Sequence, residues 1–239
     1  MKLQKLLSYI RRACDDYKMI SEGDRIAVGV SGGKDSLTLL TGLAHLKRFY
    51  PKPFEIEAIT VSLGLPGEDF SDIQRYCDSL GVRYTIVRTD IGEVIFEARK
   101  ESNPCSLCSK MRKGALNQEA KTLGCNKIAY GHSRDDVVHT FFMSMFFESR
   151  IHVFRPVTFL DKMNLHLIRP LIYVPEKEVI SFMRHLDVRI LKSPCPAAGH
   201  TKREEMRDFV KEQMAKYQHF DNTIFSAIRR SEIPGWRKE

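Results

Sequence analysis

The chain has 239 residues, 43% of them apolar, and a formal net charge of +8; the length suits one α/β domain with an extension, or one large and one small lobe, and the apolar content supplies a full core without disulfides. No run of about 18 apolar residues occurs, which excludes a helical membrane span, and residues 1–20 interleave Lys2, Lys5, Arg11, Arg12, Asp15 and Asp16 with their apolar positions, so no secretory leader is expected. A cytoplasmic location, six reduced cysteines and an anionic partner such as RNA or a nucleotide follow as expectations.

In chain order, Leu3 to Met19 has the helical spacing of Leu6, Leu7, Ile10, Ala13 and Cys14. Arg25 to Val30 is a short buried strand, and Asp35 to Phe49 a helix carrying Leu37, Leu39, Leu40, Leu43 and Leu46. Phe54 to Ser62 is the second strand, Glu68 to Leu80 a helix stopped by Gly81, and Arg83 to Arg88 the third strand. Ser109 to Leu123 is a helix closed by Gly124, Lys127 to Tyr130 the fourth strand, and Arg134 to Phe147 another helix. Two apolar runs around Asp161–Asn164 predict a hairpin or paired irregular strands within Phe154 to Tyr173. Glu176 to Leu186 and Lys202 to Tyr217 are helical and form a small C-terminal part packed on the sheet. Strands alternating with helices predict an α/β fold: a parallel sheet of about five strands with helices on both faces.

The run RIAVGVSGGKDSLTLL is a strand, a tight polar turn and a helix. Gly32 and Gly33 let backbone N–H groups approach an anion, the helix adds its positive end, Lys34 adds a point charge, and Ser31 and Ser36 add hydroxyl donors. The turn is not a Walker A loop, because Val28 and Asp35 stand where that pattern needs Gly and Ser or Thr. Two thiols, Cys105 and Cys108, sit one turn apart just before a helix, a spacing shared by redox pairs, half zinc sites and chance; Cys195, between Pro194 and Pro196, is the best third member. Spacing alone leaves zinc, with His200 as a fourth ligand, and an iron–sulfur cluster equally open. Cys14, Cys77 and Cys125 sit in ordinary helical or loop positions and are expected to be bystanders. In Gly131-His132-Ser133-Arg134-Asp135-Asp136, the paired acids suit either Mg²⁺ or helix capping, and His132 either the site or packing at a strand end. Arg169 suits a phosphate or RNA contact, or a salt bridge. Arg99, Lys100, Lys110, Arg112 and Lys113 against Glu101 form a basic cluster around the thiols, an RNA-phosphate surface or a solvated helix face.

SGGKDS resembles the SGGxDS signature of PP-loop ATP pyrophosphatases, which cleave ATP between the α and β phosphates and adenylate a substrate. CSLCSKMRKGAL, GHSRDDVVHTFFMSMFF, IRPL and SPCP together look like the TtcA-type tRNA 2-thiolation enzymes of that superfamily, over most of the chain. The resemblance implies an adenine nucleotide α-hydrolase-like fold divided into an N-terminal helix (1–22), an ATPase domain containing the CxxC insertion (23–174) and a helical extension carrying the third cysteine (175–239). It implies that Ser31, Gly32, Gly33, Lys34, Asp35, Ser36, Gly131 and Asp136 bind ATP with Mg²⁺, and that Cys105, Cys108 and Cys195 hold a [4Fe-4S] cluster with one iron open. Lys34, Asp35, Asp135, Cys105 and Cys108 would then be catalytic. The implied reaction adenylates a tRNA pyrimidine, by likeness cytidine, at C2 and replaces its oxygen with sulfur from a cysteine desulfurase or free sulfide; a homodimer is left open. Two features depart from the pattern: Val61-Ser62-Leu63-Gly64 lacks an acid at the second strand's tip, and no second CxxC surrounds Cys195. The rivals are a ligase of the tRNA lysidine synthetase type, which needs no cysteines, and a zinc-stabilised RNA-binding module.

Overall fold

The computed structural model describes residues 1–95, 104–191 and 202–237. In chain order these form α1 (Leu3–Asp16), β1 (Asp24–Gly29), α2 (Lys34–Leu46), β2 (Phe54–Val61), α3 (Ser71–Leu80), β3 (Arg83–Val87), the single turn α4 (Ile91–Glu93), α5 (Pro104–Thr122), β4 (Lys127–Ala129), α6 (Arg134–Glu148), β5 (Val157–Leu160), β6 (Leu165–Ile168), α7 (Glu176–Met183), α8 (Lys202–Lys216) and α9 (Phe220–Arg230). The strands make one six-stranded sheet in the order β3-β2-β1-β4-β6-β5. All pairs are parallel except the edge pair β5–β6, the expected hairpin, which turns through Asp161–Met163 and Asn164 at φ 51°.

The chain runs outward from β1 to β3, then returns to place β4 on the other side of β1. That reversal opens a crevice beyond the carboxyl ends of β1 and β4, where ligands bind in sheets of this kind. Alternation along the strands settles the faces. Ile26, Val28, Ile56, Ala58, Ala129 and Ile168 point into the larger core with α1, α2, α3, α6, α7 and α9, while Ala27, Ile59, Ile128, Leu165 and Leu167 meet Leu116 and Ala120 of α5 on the opposite face. The N-terminal helix and the C-terminal Phe225, Ile228 and Trp236 all belong to that larger core. α1 crosses α2 at Gly42, where a Cβ would lie 2.2 Å from Ile10 Cδ1.

Three elements differ from expectation, the unpredicted turn α4 among them. The helix expected from Ser109 already includes Pro104, so the thiol pair lies within it and not before it. α9 was not expected at all, although Phe220, Ile224, Phe225 and Ile228 recur at helical spacing and bury against the core. Among the described residues no helix is long and apolar enough to cross a membrane.

Candidate active site at the switch point

The turn between β1 and α2 is built to leave donors unused. Gly32 adopts φ +76°, a left-handed conformation that disfavours a side chain, and Gly33 caps α2 with no side chain to offer. The first in-helix bond runs from Leu37 N–H to Gly33 O at 3.1 Å, so the N–H groups of the first turn face the crevice with the positive helix end behind them. The serines expected to donate to phosphate tie the turn together in this structure. Ser36 Oγ donates to Gly33 O at 2.9 Å and accepts from Ser31 N–H at 3.2 Å, while Ser31 Oγ accepts from Gly33 N–H at 3.4 Å.

Lys34 sits between two acids, 2.7 Å from Asp35 Oδ2 and 3.0 Å from Glu176 Oε1. Burial pulls its ammonium down, but these carboxylates outweigh it and hold the charge on. Burial pushes the Asp35 carboxyl up against the opposing pull of Lys34, and Asp136 and Glu176 add to the rise. Asp35 Oδ1 is buried with no hydrogen-bond partner among the described residues. A buried acceptor left bare is costly, and a cation is the partner that would relieve it.

The turn between β4 and α6 is satisfied internally. Ser133 Oγ accepts from Asp136 N–H at 3.4 Å, and Asp136 Oδ2 accepts from Ser133 N–H at 2.8 Å, a reciprocal capping box. Asp136 Oδ1 also meets Arg203 of α8 at 3.2 Å. Burial works against this carboxylate, yet Ser133, His132 and Arg203 together hold it below its ordinary range. Asp135 accepts from Glu176 N–H at 2.7 Å and so caps α7, while burial pushes its carboxyl up. Gly131 is the hinge between the two turns: a Cβ there would stand 3.0 Å from the Asp35 carbonyl and 3.2 Å from Ser36 N. Glu176, which ties Lys34 to Asp135, was not anticipated; its position after the RPLIYVP run is the signal that marks it.

The cysteine helix α5 precedes the parallel strand β4, so it runs against the strands and its N-terminus lies at the same sheet edge as the glycine turn. Leu116 reaches the end of β1, since a Cβ on Gly29 would lie 3.1 Å from it. Eight residues earlier, about 12 Å along the helix axis, Cys108 packs with Leu107 and Met111 against Leu63, Ile91 and Ile95 beyond the tip of β2. Cys105 is exposed one turn away, on the same side of the helix. Cys14, Cys77 and Cys125 are buried, and burial pushes their thiols up, Cys77 to about 12 and Cys125 to about 11. At the β2 tip, where Val61–Gly64 carries no acid, Glu68 accepts from Ser62 Oγ and from Leu63 N–H at 3.0 Å.

Cys195 and His200 lie outside the described residues, as do Arg99, Lys100 and Glu101. Among the described residues no three His, Cys, Asp or Glu side chains converge as a metal group. The chain nearest to Cys195 in sequence is nonetheless fixed to the glycine turn. Leu191 N–H donates to Gly32 O at 3.0 Å, and its side chain lies 2.8 Å from where a Gly32 Cβ would stand.

The sequence profile of the PP-loop domain family matches residues 3–214. The chain is 36% identical over 228 residues to the tRNA-cytidine(32) 2-sulfurtransferase of Pelobacter propionicus, covering 94% of this chain and 85% of that protein. It is 37% identical over 235 residues to the protein of the same name from Dechloromonas aromatica, covering 95% and 81%. Among solved structures it is similar to the U34-tRNA thiolase NcsA of Methanococcus maripaludis, determined with its [4Fe-4S] cluster. That likeness has a TM-score of 0.74 at 24% identity, over 92% of this chain and 76% of the other. An NAD+ synthetase from Burkholderia pseudomallei shares the fold at a TM-score of 0.54 and 14% identity, over 96% and 90% of the two chains.

Proposed function

The chain belongs to the PP-loop family, in its tRNA 2-thiolation branch, and from that premise we propose that it is an ATP-dependent sulfurtransferase that adenylates C2 of a tRNA cytidine and replaces the oxygen with sulfur. The observation that carries this reading is the uncapped β1–α2 turn sharing one sheet edge with the thiol helix. The C2 oxygen of a pyrimidine is a poor leaving group. Its attack on the α-phosphorus of ATP expels pyrophosphate and turns that oxygen into part of AMP, a good one. Sulfide then adds at C2, and AMP departs with the oxygen.

In this scheme the N–H groups after Gly33 bind the phosphates and Lys34 neutralises charge gathering on pyrophosphate. Asp35, with its bare buried oxygen, fits a Mg²⁺ ion, whereas Asp135 and Asp136 are committed to capping and act by shaping the pocket. The [4Fe-4S] cluster of the similar thiolase supports the reading that Cys105, Cys108 and Cys195 hold such a cluster here. Leu191 supports that set, because it anchors the chain to Gly32 four residues before Cys195, a tether of at most about 14 Å. Held by three thiolates, such a cluster supplies an iron site open to sulfur. Arg112 and Lys110 of α5 would meet tRNA phosphates on the way in.

The test is anaerobic purification with iron and zinc counts, followed by incubation with ATP, sulfide and unmodified tRNA. Wild type is expected to contain iron and to yield 2-thiocytidine by nucleoside mass spectrometry. Alanine at Cys105, Cys108 or Cys195 is expected to abolish thiolation while pyrophosphate release persists. Thiolation that survives all three substitutions would favour the ligase chemistry of the lysidine synthetase type, and zinc in place of iron would favour a structural metal.

A further inference from the structure

We propose that Arg169, with Lys113 at its mouth, forms a second phosphate-binding position at the switch point, separate from the glycine turn, and that its occupant is the α-phosphate of the adenylate. This rests on the adenylation reading above.

Arg169 follows β6 and is only 7% exposed. Among the described residues no carboxylate lies within ion-pairing distance of it. A buried guanidinium cannot shed its charge, so an absent counter-ion is expensive. Arg134, equally buried at 8%, shows the ordinary solution: its guanidinium pairs with Asp221 and bonds Asn222. Arg169 is held by neutral groups instead. Its Nε–H donates to His132 Nδ1 at 3.2 Å, and one Nη1 donates to Arg155 O and to Thr158 Oγ1 at 3.2 Å. Its plane stacks on Phe154 at 4.8 Å, beside the His132 ring at 4.7 Å from the same phenyl. Burial and the neighbouring Arg169 push His132 down to about 4, which keeps it neutral and its Nδ1 free to accept.

Two nitrogens of the guanidinium are therefore fixed and stacked, and Nη2 has no protein partner among the described residues. A preset fork with one open arm is what a phosphate oxygen recognises. Lys113 stands one turn nearer the crevice than Leu116, on the same face of α5, and burial, Arg169 and Arg203 all lower its ammonium. Arg203 already has Asp136, so the unmatched charge belongs to Arg169 and Lys113. Lys113 rises from α5 between Cys108 and Leu116, and Arg169 stands two strands from the glycine turn, about 10 Å away in the sheet. The glycine turn thus lies between Arg169, on its β4–β6 side, and the thiols at the β2 tip. The burial of Arg169 favours a nucleotide phosphate over an RNA backbone phosphate, which would meet exposed cations alone.

The experiment measures binding of AMP, inorganic pyrophosphate and an unmodified tRNA transcript to the full-length protein, by calorimetry and filter binding, in wild type, Lys113→Met and Arg169→Gln. Both variants are expected to lose AMP affinity by about tenfold to a hundredfold, with pyrophosphate affinity retained on the glycine turn. Lys113 is exposed, so its variant keeps the test open if the loss of the Arg155 and Thr158 bonds unfolds Arg169→Gln. Unchanged AMP affinity in Lys113→Met, or equal losses for AMP and pyrophosphate, would overturn the proposal. Loss confined to tRNA would also overturn it, by assigning the pair to the RNA backbone. If wild type bound neither AMP nor pyrophosphate, the adenylation reading itself would fail along with it.

Discussion

Two strand-to-helix turns lie side by side at the switch point, and they solve the same problem in opposite ways. After β4, Ser133 and Asp136 bond each other's main chain and close the start of α6. After β1, Gly33 closes nothing, and the start of α2 keeps its donors. Every helix begins with unsatisfied N–H groups. Among the described residues one helix start carries a capping box, while its neighbour is left without one beside a lysine and a carboxylate oxygen that lacks a partner, the arrangement expected where a ligand is to bind. The lesson is that the acid pair most suggestive of metal, Asp135 and Asp136, is mainly architectural, whereas the single Asp35 has an oxygen to spare.

The contrast is sharpest when each turn loses one carboxylate or one cap. Asp35→Asn is expected to give the larger effect, a fall in ATP-dependent pyrophosphate release of about a hundredfold, as when a positioned charge is removed from a reaction centre. The same substitution is expected to raise the melting temperature. Burial raises the folded-state pKa of Asp35 above its unfolded value, so its stabilising protonated form is complete in acid and lost as pH rises through the folded pKa. At neutral pH the ionised group therefore costs stability, and asparagine removes that cost. A lower melting temperature would show that Asp35 is there to support the fold.

Ser133→Ala is expected to give the smaller and opposite result. Loss of the cap costs about 1 kcal/mol, a drop of roughly 2–4 °C for a chain of this size, with ATP affinity retained. A large loss of ATP affinity would mean that the second turn also touches the nucleotide.

Much of this was legible in the chain. The alternation of strand and helix patterns gave the sheet, and two glycines before a lysine marked the turn, because few side chains tolerate the φ that Gly32 adopts. What escaped was long-range. Glu176 lies 142 residues from Lys34 in sequence yet 3.0 Å from its ammonium, a pairing only the tertiary fold creates. The tie between Leu191 and Gly32 is of the same kind. Arg169 read equally as a phosphate ligand or a salt-bridged arginine, since nothing local says whether an acid will arrive beside it. The thiol pair read as lying just before a helix because apolar periodicity is weak over Pro104–Cys108, yet these residues are part of α5. The third sulfur, Cys195, lies outside the described residues, so its place beside the thiol pair stands as part of the proposal.

The account turns on which of the two helix starts receives phosphate. Titration of ¹⁵N-labelled protein with the non-hydrolysable α,β-methylene analogue of ATP, read at individual amides, answers that directly. The expected result is large shifts at Gly33, Lys34, Asp35 and Ser36, with the amides of Ser133 and Asp136 held in their capping box and little changed. Shifts concentrated at Ser133 and Asp136, or none at the glycine turn, would contradict it.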